Sequence, residues 1–229
     1  MKNKAVIFLN GNLGKLDFTK SLIDDSTYLI GCDGGTDRIY DLGYKPNAVI
    51  GDFDSLKKLP KKIKQIKSVK TGSEQIVDEV IYRKYPTDKD FLDTELAIDF
   101  AIQKSFSEII LVNTLGDETD HMLGTIFLIG REKFSDINIK IIQQNQEISI
   151  ISGIVEIHGN PGQKISLIPI FGEVKVASST GLKYDPAKYK MTMETNAGIS
   201  NEFTKTQVYL KIKSGKFLAI IHHRHNVNL

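Results

Sequence analysis

The sequence predicts an α/β protein in two parts: a three-layer domain with a parallel sheet at residues 1–143, followed by an antiparallel β-sandwich at residues 144–229. In the first part, short apolar segments alternate with helical stretches, which is typical of parallel strands joined by helices. In the second part, short strands follow one another between glycine-containing turns, which is typical of sandwiches and barrels. The 229 residues are enough for one large domain or two modest ones.

The first part has a Rossmann-like order of elements. Helical periodicity indicates helices at 36–42, 94–104 and 121–130, and Gly43 stands where a helix commonly ends in a left-handed residue. Apolar runs indicate buried strands at 5–9, 28–32, 48–50, 108–112 and 137–142. Strands that alternate with helices in this way are expected to pair in parallel.

The second part begins near the polar segment 143–146. We expect its strands to be separated by Gly153, the turn at 159–162, Gly172, Gly181 and the pair Ser214-Gly215. The predicted strands are 148–151, 155–158, 164–169, 174–177, 207–212 and 217–222.

Composition narrows the function classes. A net charge of +2 argues against a dedicated nucleic-acid binder, and the lysine run at 57–70 is interpreted as a solvated helix face because its apolar residues have helical spacing. No apolar run approaches the ~20 residues of a membrane helix, so no membrane partner is expected. The single cysteine and the absence of a signal-peptide pattern at the N-terminus lead us to expect a cytoplasmic protein.

Carboxylates follow several of the predicted strands. Asp33 follows strand 28–32, Asp52 and Asp54 follow strand 48–50, and Asp120 lies in the loop after strand 108–112. Asp90 and Asp93 directly precede the helix at 94–104. In open parallel sheets, ligands bind outside the carboxyl ends of the strands, so these groups are expected to converge there. Because so many like charges repel one another, the pattern predicts Mg²⁺, which prefers hard oxygen ligands and shares its coordination with phosphates.

Simpler interpretations remain open for single residues. Asp93 and Asp120 have the position of helix N-caps, and Asp52 and Asp54 could merely shape a turn.

Phosphate groups could also be bound by the backbone. The N–H groups near Asn10, Gly11, Gly34 and Gly35 could approach phosphate groups closely. Known phosphate-loop, dinucleotide-binding and zinc-protease motifs are absent from the sequence, and Ser55 has no obvious base beside it.

Five segments of the sequence, in order, resemble the motifs of the thiamin pyrophosphokinases. The first is Asp33-Gly34-Gly35 with 42–47 and 50–55; the second is Asp88-Lys89-Asp90 with Asp93 and 95–97; the third is Asp120-His121 with Leu123; the last two are 181–184 and 200–203. These motifs span most of the chain and, taken together, are highly specific.

The resemblance implies an enzyme that transfers the pyrophosphoryl group of ATP to thiamin and releases AMP. It implies a homodimer with thiamin bound at the interface by the β-sandwich domain. Asp52, Asp54 and Asp93 match the family's magnesium and catalytic carboxylates. Other residues of the matched motifs are predicted to bind ATP (Asp33, Gly34, Gly35, Lys89, Asp90, Asp120 and His121) or thiamin (Tyr184, Ser200 and Asn201). Asn10 and Gly11, which follow the first predicted strand, are also predicted to bind ATP.

The sequence also departs from the family pattern. Leu92 stands where threonine is usual, Glu118 where arginine is usual, and Thr125 where asparagine is common. These changes keep two alternatives open: a related Mg²⁺-dependent diphosphotransferase or nucleotide hydrolase, and a non-catalytic thiamin-binding protein. His222, His223 and His225 are interpreted as a strand end that runs into a solvated tail rather than as a metal site.

Overall fold

The computed structural model describes residues 4–11, 16–57, 59–64, 67, 72–114 and 119–223. The chain forms two compact units, one of residues 1–128 with 135–144 and the other of residues 129–134 with 145–229. Among the described residues, no helix is long and apolar enough to span a membrane.

The first unit contains a mostly parallel sheet in the order β7-β6-β1-β2-β3-β5-β4. Its neighbouring strands are all parallel except for the hairpin of β4 and β5. The strands are β1 (Lys4–Phe8), β2 (Tyr28–Cys32), β3 (Ala48–Gly51), β4 (Ser73–Val77), β5 (Val80–Lys84), β6 (Glu108–Val112) and β7 (Asn138–Gln143). The helices are α1 (Leu16–Ser21), α2 (Gly35–Asp41), α3 (Lys61–Lys64), α4 (Asp93–Gln103) and α5 (Thr119–Ile129).

Helices cover both faces of this sheet because its strands are apolar on both sides. Val6 and Phe8 pack with Ile39 of α2 on one face. On β5, Tyr82 packs into a cluster with Phe53, whereas the next residue, Arg83, lies over the ring of Phe100 in α4. Successive side chains of a strand point to opposite faces, so α4 lies on the face opposite that cluster. The predicted α/β fold class is confirmed.

The hairpin of β4 and β5 was not predicted. β4 is exposed at its three central residues and lacks an alternating apolar pattern. The turn is made by Asp78 and Glu79, both at positive φ (50° and 64°), the backbone of a turn that usually contains glycine or asparagine. The sequence therefore offers neither of the usual hairpin signals.

The second unit is an antiparallel assembly in the order β11-β10-β12-β8, and β9 also pairs with β12. The strands are β8 (Gln146–Ile151), β9 (Ile154–His158), β10 (Lys164–Thr180), β11 (Asn201–Glu202) and β12 (Gln207–His222). Short 3₁₀ turns occur at Glu132–Phe134 and Pro186–Lys188.

Gly172 and Ser214-Gly215 do not separate strands as expected. β10 and β12 each run through these positions, with shifts of register between Ile170 and Ser178. One half of β12 pairs with β9 and the other half with β8, and both halves contribute to one apolar cluster that includes Leu210 and Phe217. The glycines therefore allow two long strands to bend around a sandwich-like core.

Candidate active site

A cavity of about 480 Å³ lies in the first unit, at the carboxyl ends of β1, β2, β3 and β6. This is the location that the rule for open parallel sheets predicts. Eight of the predicted site residues line it: Asn10, Gly11, Asp33, Asp52, Asp54, Lys89, Asp93 and His121. The convergence of separate carboxylate-bearing loops on one cavity is therefore observed.

The loop after β3 has an unusual backbone that brings Asp52 and Asp54 to the cavity. Gly51 has φ 146° and Phe53 has φ 69°. A Cβ atom at Gly51 would overlap Asp33 Oδ1, so only glycine fits this close approach. The N–H of Phe53 donates to Asp33 Oδ1 (3.1 Å), and the N–H of Asp54 donates to Asp52 Oδ1 (3.1 Å). Asp52 therefore helps to hold the shape of its own loop, and Asp33 holds the same loop from the end of β2.

Asp33 is a strained and partly buried carboxyl at the centre of this arrangement. Its φ is 44°, outside the region that most non-glycine residues adopt. Burial, followed by the negative charge of Asp93, raises the pKa of Asp33 to about 8. The pKa of Asp54 is also raised, by burial and then by the charge of Asp52. Mutual repulsion among these carboxylates is the condition that a bound cation relieves.

Lys89 lies among the carboxylates. Its Nζ is 2.9 Å from Asp93 Oδ1 and 3.9 Å from Asp52 Oδ2, and it donates to the carbonyl of Pro86 (3.1 Å). The Lys89 side chain is 11% exposed. Burial lowers the pKa of Lys89, but the hydrogen bond and the charge of Asp93 outweigh that effect, so the pKa is raised and the ammonium stays charged.

Asp93 is not the N-cap of α4. It is the first residue of the helix, and Leu92 occupies the N-cap position. The carbonyl of Leu92 accepts from the N–H groups of Glu95 and Leu96. The carboxylate of Asp93 contacts Lys89 instead, so the capping interpretation does not account for it.

Asp90 and Asp120 are exposed and are not among the described residues that line the cavity. Asp120 lies in the first turn of α5 rather than in the preceding loop, and its Oδ1 accepts from the N–H of His121 (3.0 Å). The prediction that Asp120 lies in the loop was wrong, because the apolar pattern from which the helix was predicted begins only after Asp120. The assignment of Asp90 and Asp120 as ATP-binding residues stays a prediction.

Gly34 and Gly35 also lie outside the lining of the cavity. A Cβ atom at Gly34 would overlap Asn10 Oδ1, and one at Gly35 would overlap the carbonyl of Phe8. The N–H of Gly34 donates to Ser55 Oγ (3.1 Å). In the structure Gly34 permits close approach of the loop after β1, and Gly35 permits close packing of the start of α2 against the end of β1. Direct contact of these glycines with a ligand stays a prediction.

Sequence reasoning did not assign several other residues of the cavity wall. The lining also includes Leu9, Cys32, Ser55, Thr87, Phe91, Leu92, Thr94, Asn113, Thr114 and Thr125. Asn113 and Thr114 directly follow β6, so the strand-end rule would have found them. Phe91 carries no such signal, since it interrupts an acidic motif and is exposed. The thiol of Cys32 is buried, and burial raises its pKa, so it stays protonated.

The arrangement fits a hydrated cation that is completed by a ligand. Within the described part of the chain, no three carboxylate, histidine or cysteine side chains are already gathered around one point. Asp52, Asp54 and Asp93 nevertheless face one cavity, and all are hard oxygen donors. Mg²⁺ typically takes one or two carboxylates and draws its remaining ligands from water and substrate phosphates.

The predicted thiamin-binding residues lie in the second unit, where Asn201 supports Tyr184. Asn201 is 1% exposed; its Oδ1 accepts from the N–H groups of Tyr184 (3.0 Å) and Glu202 (2.9 Å), and its Nδ2 donates to the carbonyl of Tyr184 (2.7 Å). The Tyr184 residue itself is 45% exposed, with Lys183 Nζ 5.5 Å from its ring centroid. Ser200 is exposed, and its N–H donates to Ser166 Oγ.

Glu118 and the C-terminal histidines lie near or beyond the limits of the described residues. Glu118 and His225 lie outside the described residues. His222 is the last residue of β12, and His223 is exposed beyond it. His223 donates its backbone N–H to the carbonyl of Asn145 (2.8 Å), so the strand-end interpretation agrees with the observed positions of these two histidines.

Comparison with known proteins agrees with both units. Residues 19–141 match the family model for the thiamin pyrophosphokinase catalytic domain, and residues 141–217 match the model for the thiamin pyrophosphokinase vitamin B1 binding domain. The thiamine pyrophosphokinase of Bacillus subtilis is 27% identical over 199 residues, which cover 86% of this chain and 88% of the relative. Thiamin pyrophosphokinase 1 of Caenorhabditis elegans is 23% identical over 230 residues, covering 93% of this chain and 87% of the relative.

Solved structures have the same fold. The crystal structure of the Bacillus subtilis thiamine pyrophosphokinase superposes with a TM-score of 0.78 at 26% identity and covers 96% of this chain and 99% of that one. Yeast thiamin pyrophosphokinase gives a TM-score of 0.68 at 16% identity, covering 96% and 86% respectively, a likeness of fold alone.

Proposed function

The chain belongs to the thiamin pyrophosphokinase family, a family of enzymes, and we propose that it transfers the pyrophosphoryl group of ATP to the hydroxyethyl oxygen of thiamin. The products are thiamin diphosphate and AMP, and the reaction requires Mg²⁺. The observation that carries the proposal is the single cavity lined by Asp33, Asp52, Asp54, Asp93 and Lys89. Four carboxylates and one ammonium in one cavity suit a cation bound together with a polyphosphate.

Asp52, Asp54 and Asp93 are the residues that would hold Mg²⁺. A bound ion would supply positive charge that offsets the negative charge of the polyphosphate. The strained loop after β3 fixes Asp52 and Asp54 in advance, so the cost of gathering their negative charges is met during folding rather than during binding. Asp33 supports this loop through its contact with the N–H of Phe53.

Lys89 is the polyphosphate-binding cation of this proposal. It is held between Asp52 and Asp93 and lines the cavity, so a phosphate beside these carboxylates meets its ammonium at once. His121, Asn10 and Gly11 also line the cavity and supply polar groups for the same ligand. The third motif has Glu118 where the family usually has arginine, so one positive charge is lost there. The positive charge of Lys89 partly compensates for that loss.

Asp93 is proposed to orient the thiamin hydroxyl and to accept its proton. A carboxylate within hydrogen-bond distance of the nucleophile is well suited to this task. In the second unit, the exposed ring of Tyr184 offers an aromatic face to the thiamin pyrimidine or to the cationic thiazolium. Ser200 is proposed to contact thiamin directly, whereas Asn201 positions Tyr184 through its backbone.

Several features of the proposal rest on the family resemblance. They are the homodimer with thiamin bound at its interface, the assignment of ATP binding to residues 1–143 and of thiamin binding and dimerisation to residues 144–229, and the cytoplasmic location. Light scattering of the purified protein tests the dimer directly, since a monomer at assay concentration would contradict it.

The decisive experiment incubates the purified protein with ATP, Mg²⁺ and thiamin and quantifies AMP and thiamin diphosphate by chromatography. Equal amounts of the two products, dependent on both thiamin and Mg²⁺, are expected. If AMP is released at the same rate with and without thiamin, the protein is instead a nucleotide hydrolase or a transferase with another acceptor. Leu92 and Glu118 keep this alternative open. Thiamin binding without consumption of ATP would identify a binding protein.

A further inference from the structure

Phe91 is an exposed aromatic residue on the wall of the catalytic cavity. It is 54% exposed, although it lines a cavity whose other walls carry carboxylates and a lysine. Leu9 and Leu92 line the same cavity. The wall of the cavity therefore includes apolar side chains as well as charged ones, and a ligand that covers Phe91 removes apolar surface from water.

The loop before α4 holds Phe91 close to the charged groups. Lys89 Nζ contacts the carbonyl of Pro86 at 3.1 Å and Asp93 Oδ1 at 2.9 Å, so it joins the start of this loop to the first residue of the helix. Phe91 lies inside the closed loop, two residues from Lys89 and two from Asp93. Because Phe91 lines the same cavity as these two residues, the remaining part of a ligand whose phosphates bind beside them can lie against its ring.

We propose that Phe91 is a stacking surface for the base of the nucleoside triphosphate donor, an inference that rests on the proposed function of this cavity. A base is the apolar, planar part of a molecule whose other end is a polyphosphate, which matches the apolar and charged side chains of the cavity wall. Stacking recognises the face of a base rather than its hydrogen-bonding edge, so it accepts every base and depends on the stacking strength of each. The donor site is therefore expected to prefer purine to pyrimidine nucleotides.

Binding of a non-transferable donor tests this inference without turnover. Isothermal titration calorimetry with Mg²⁺ and α,β-methylene-ATP is expected to show a Kd about 10-fold higher for Phe91→Ala than for the wild type, the loss typical of one stacked base. Phe91→Tyr restores binding to within about twofold because it keeps the ring. Phe127→Ala is the matched control, since Phe127 is 43% exposed on α5 and is not among the described residues of the cavity wall.

Steady-state kinetics distinguish a stacked base from a stacked thiamin. Phe91→Ala is expected to raise the KM for ATP by about 10-fold, to leave the KM for thiamin unchanged, and to bring the KM values for ATP and UTP closer together. A rise in the KM for thiamin alone would assign the ring to the acceptor and overturn the proposal. Equal binding by Phe91→Ala and the wild type would overturn it too.

The two proposals about this cavity fail in different ways. If the wild type makes thiamin diphosphate but Phe91→Ala binds the analogue normally, only the stacking proposal is wrong. If the analogue binds in a manner that depends on Phe91 but no thiamin diphosphate forms, the stacking proposal stands and the proposed reaction is wrong. If the wild type neither binds the analogue nor forms thiamin diphosphate, both are wrong.

Discussion

The two units use the residues of their motifs in opposite ways. In the first unit, Asp33, Asp52 and Asp93 are gathered beside one cavity at some cost. The backbone is strained at Asp33 and Phe53, and the pKa values of the Asp33 and Asp54 carboxyls are raised. In the second unit, Asn201 contributes to its own fold, because all the hydrogen bonds described for its side chain go to the backbone of Tyr184 and Glu202. Clustered charge that is unfavourable to folding marks the chemical site, whereas a motif residue that satisfies local backbone groups marks support for a neighbouring side chain.

The largest expected effect of any substitution is that of Asp54→Asn on turnover. Asp54 is exposed in the cavity, so an amide of the same shape removes the charge and leaves the packing unchanged. We expect kcat/KM to fall by about 10²–10³-fold, the usual loss when one electrostatic group is removed from an active site.

Asp88→Asn is the matched control for this variant. Asp88 is an exposed aspartate of the second motif that is not among the described residues of the cavity wall, and kcat/KM is expected to stay within about threefold of the wild-type value because exposed charges interact weakly. Circular dichroism and thermal melts check that both variants fold. Equal activities of Asp54→Asn and Asp88→Asn would remove Asp54 from the proposed site.

Each unit contains a glycine at positive φ, and alanine substitutions at these two positions allow the stability of the two backbones to be compared. Gly51 has φ 146° and a Cβ there would overlap Asp33 Oδ1, whereas Gly172 has φ 126° and nothing lies within 4 Å of the Cβ position. Gly51→Ala adds overlap to backbone strain and is expected to cost about 3–5 kcal/mol of unfolding free energy, together with activity. Gly172→Ala adds strain alone and is expected to cost about 1–2 kcal/mol.

Urea denaturation of the Gly51→Ala and Gly172→Ala variants measures that difference. Similar losses of unfolding free energy would mean that the loop after β3 relaxes easily, which would contradict the view that its carboxylates are fixed before a ligand binds.

Much of the fold follows from periodicity, and the failures have local causes. Strands 28–32 and 108–112 match β2 and β6 residue for residue because both are buried runs bounded by polar residues. β4 was missed because most of an edge strand faces solvent and carries no alternating pattern. Gly172 has the sequence pattern of a turn between strands, because sequence alone does not distinguish a turn from a bend within a long strand.

The residues of the candidate site that directly follow a strand can be predicted from the sequence. Asp33, Asp52 and Asp54 follow β2 and β3 directly, so topology alone brings them together. Lys89 and Phe91 come from a loop whose course depends on tertiary contacts, and only the family resemblance assigned a role to Lys89. That Asn201 contacts the backbone of Tyr184 is a pairing across the fold that no spacing in the sequence reveals.

Asn201 and Tyr184 are expected to separate stability from substrate binding in the second unit. Asn201→Ala leaves buried backbone groups without partners and is expected to cost about 2 kcal/mol of unfolding free energy, with a raised KM for thiamin as a secondary effect. Tyr184→Ala is expected to raise the KM for thiamin while costing less than about 1 kcal/mol, since the residue is half exposed. Chemical denaturation combined with thiamin titrations tests both variants. A raised KM without a loss of stability in Asn201→Ala would instead indicate direct contact with thiamin.

The last expected effect is a pH-dependent change in stability that originates at Asp33. Its carboxyl has a pKa of about 8 in the folded protein, against a reference value of 3.8. Between these values the folded state holds a proton that the unfolded state has lost, so this group makes the protein less stable as the pH rises from about 4 to 8.

Asp33→Asn removes that contribution and keeps an oxygen that can accept from the N–H of Phe53. In EDTA at pH 8 we expect it to melt at least about 2–4 °C above the wild type, with little difference near pH 4. About 1 kcal/mol already produces that shift in a domain of this size, and the raised pKa of Asp33 corresponds to more than that. Added Mg²⁺ at pH 8 is expected to stabilise the wild type more than the variant, because a cation favours the ionised carboxyl. A variant that melts below the wild type at pH 8 in EDTA would show that the ionised carboxylate stabilises the loop after β3 more than its burial and its charged neighbours destabilise it.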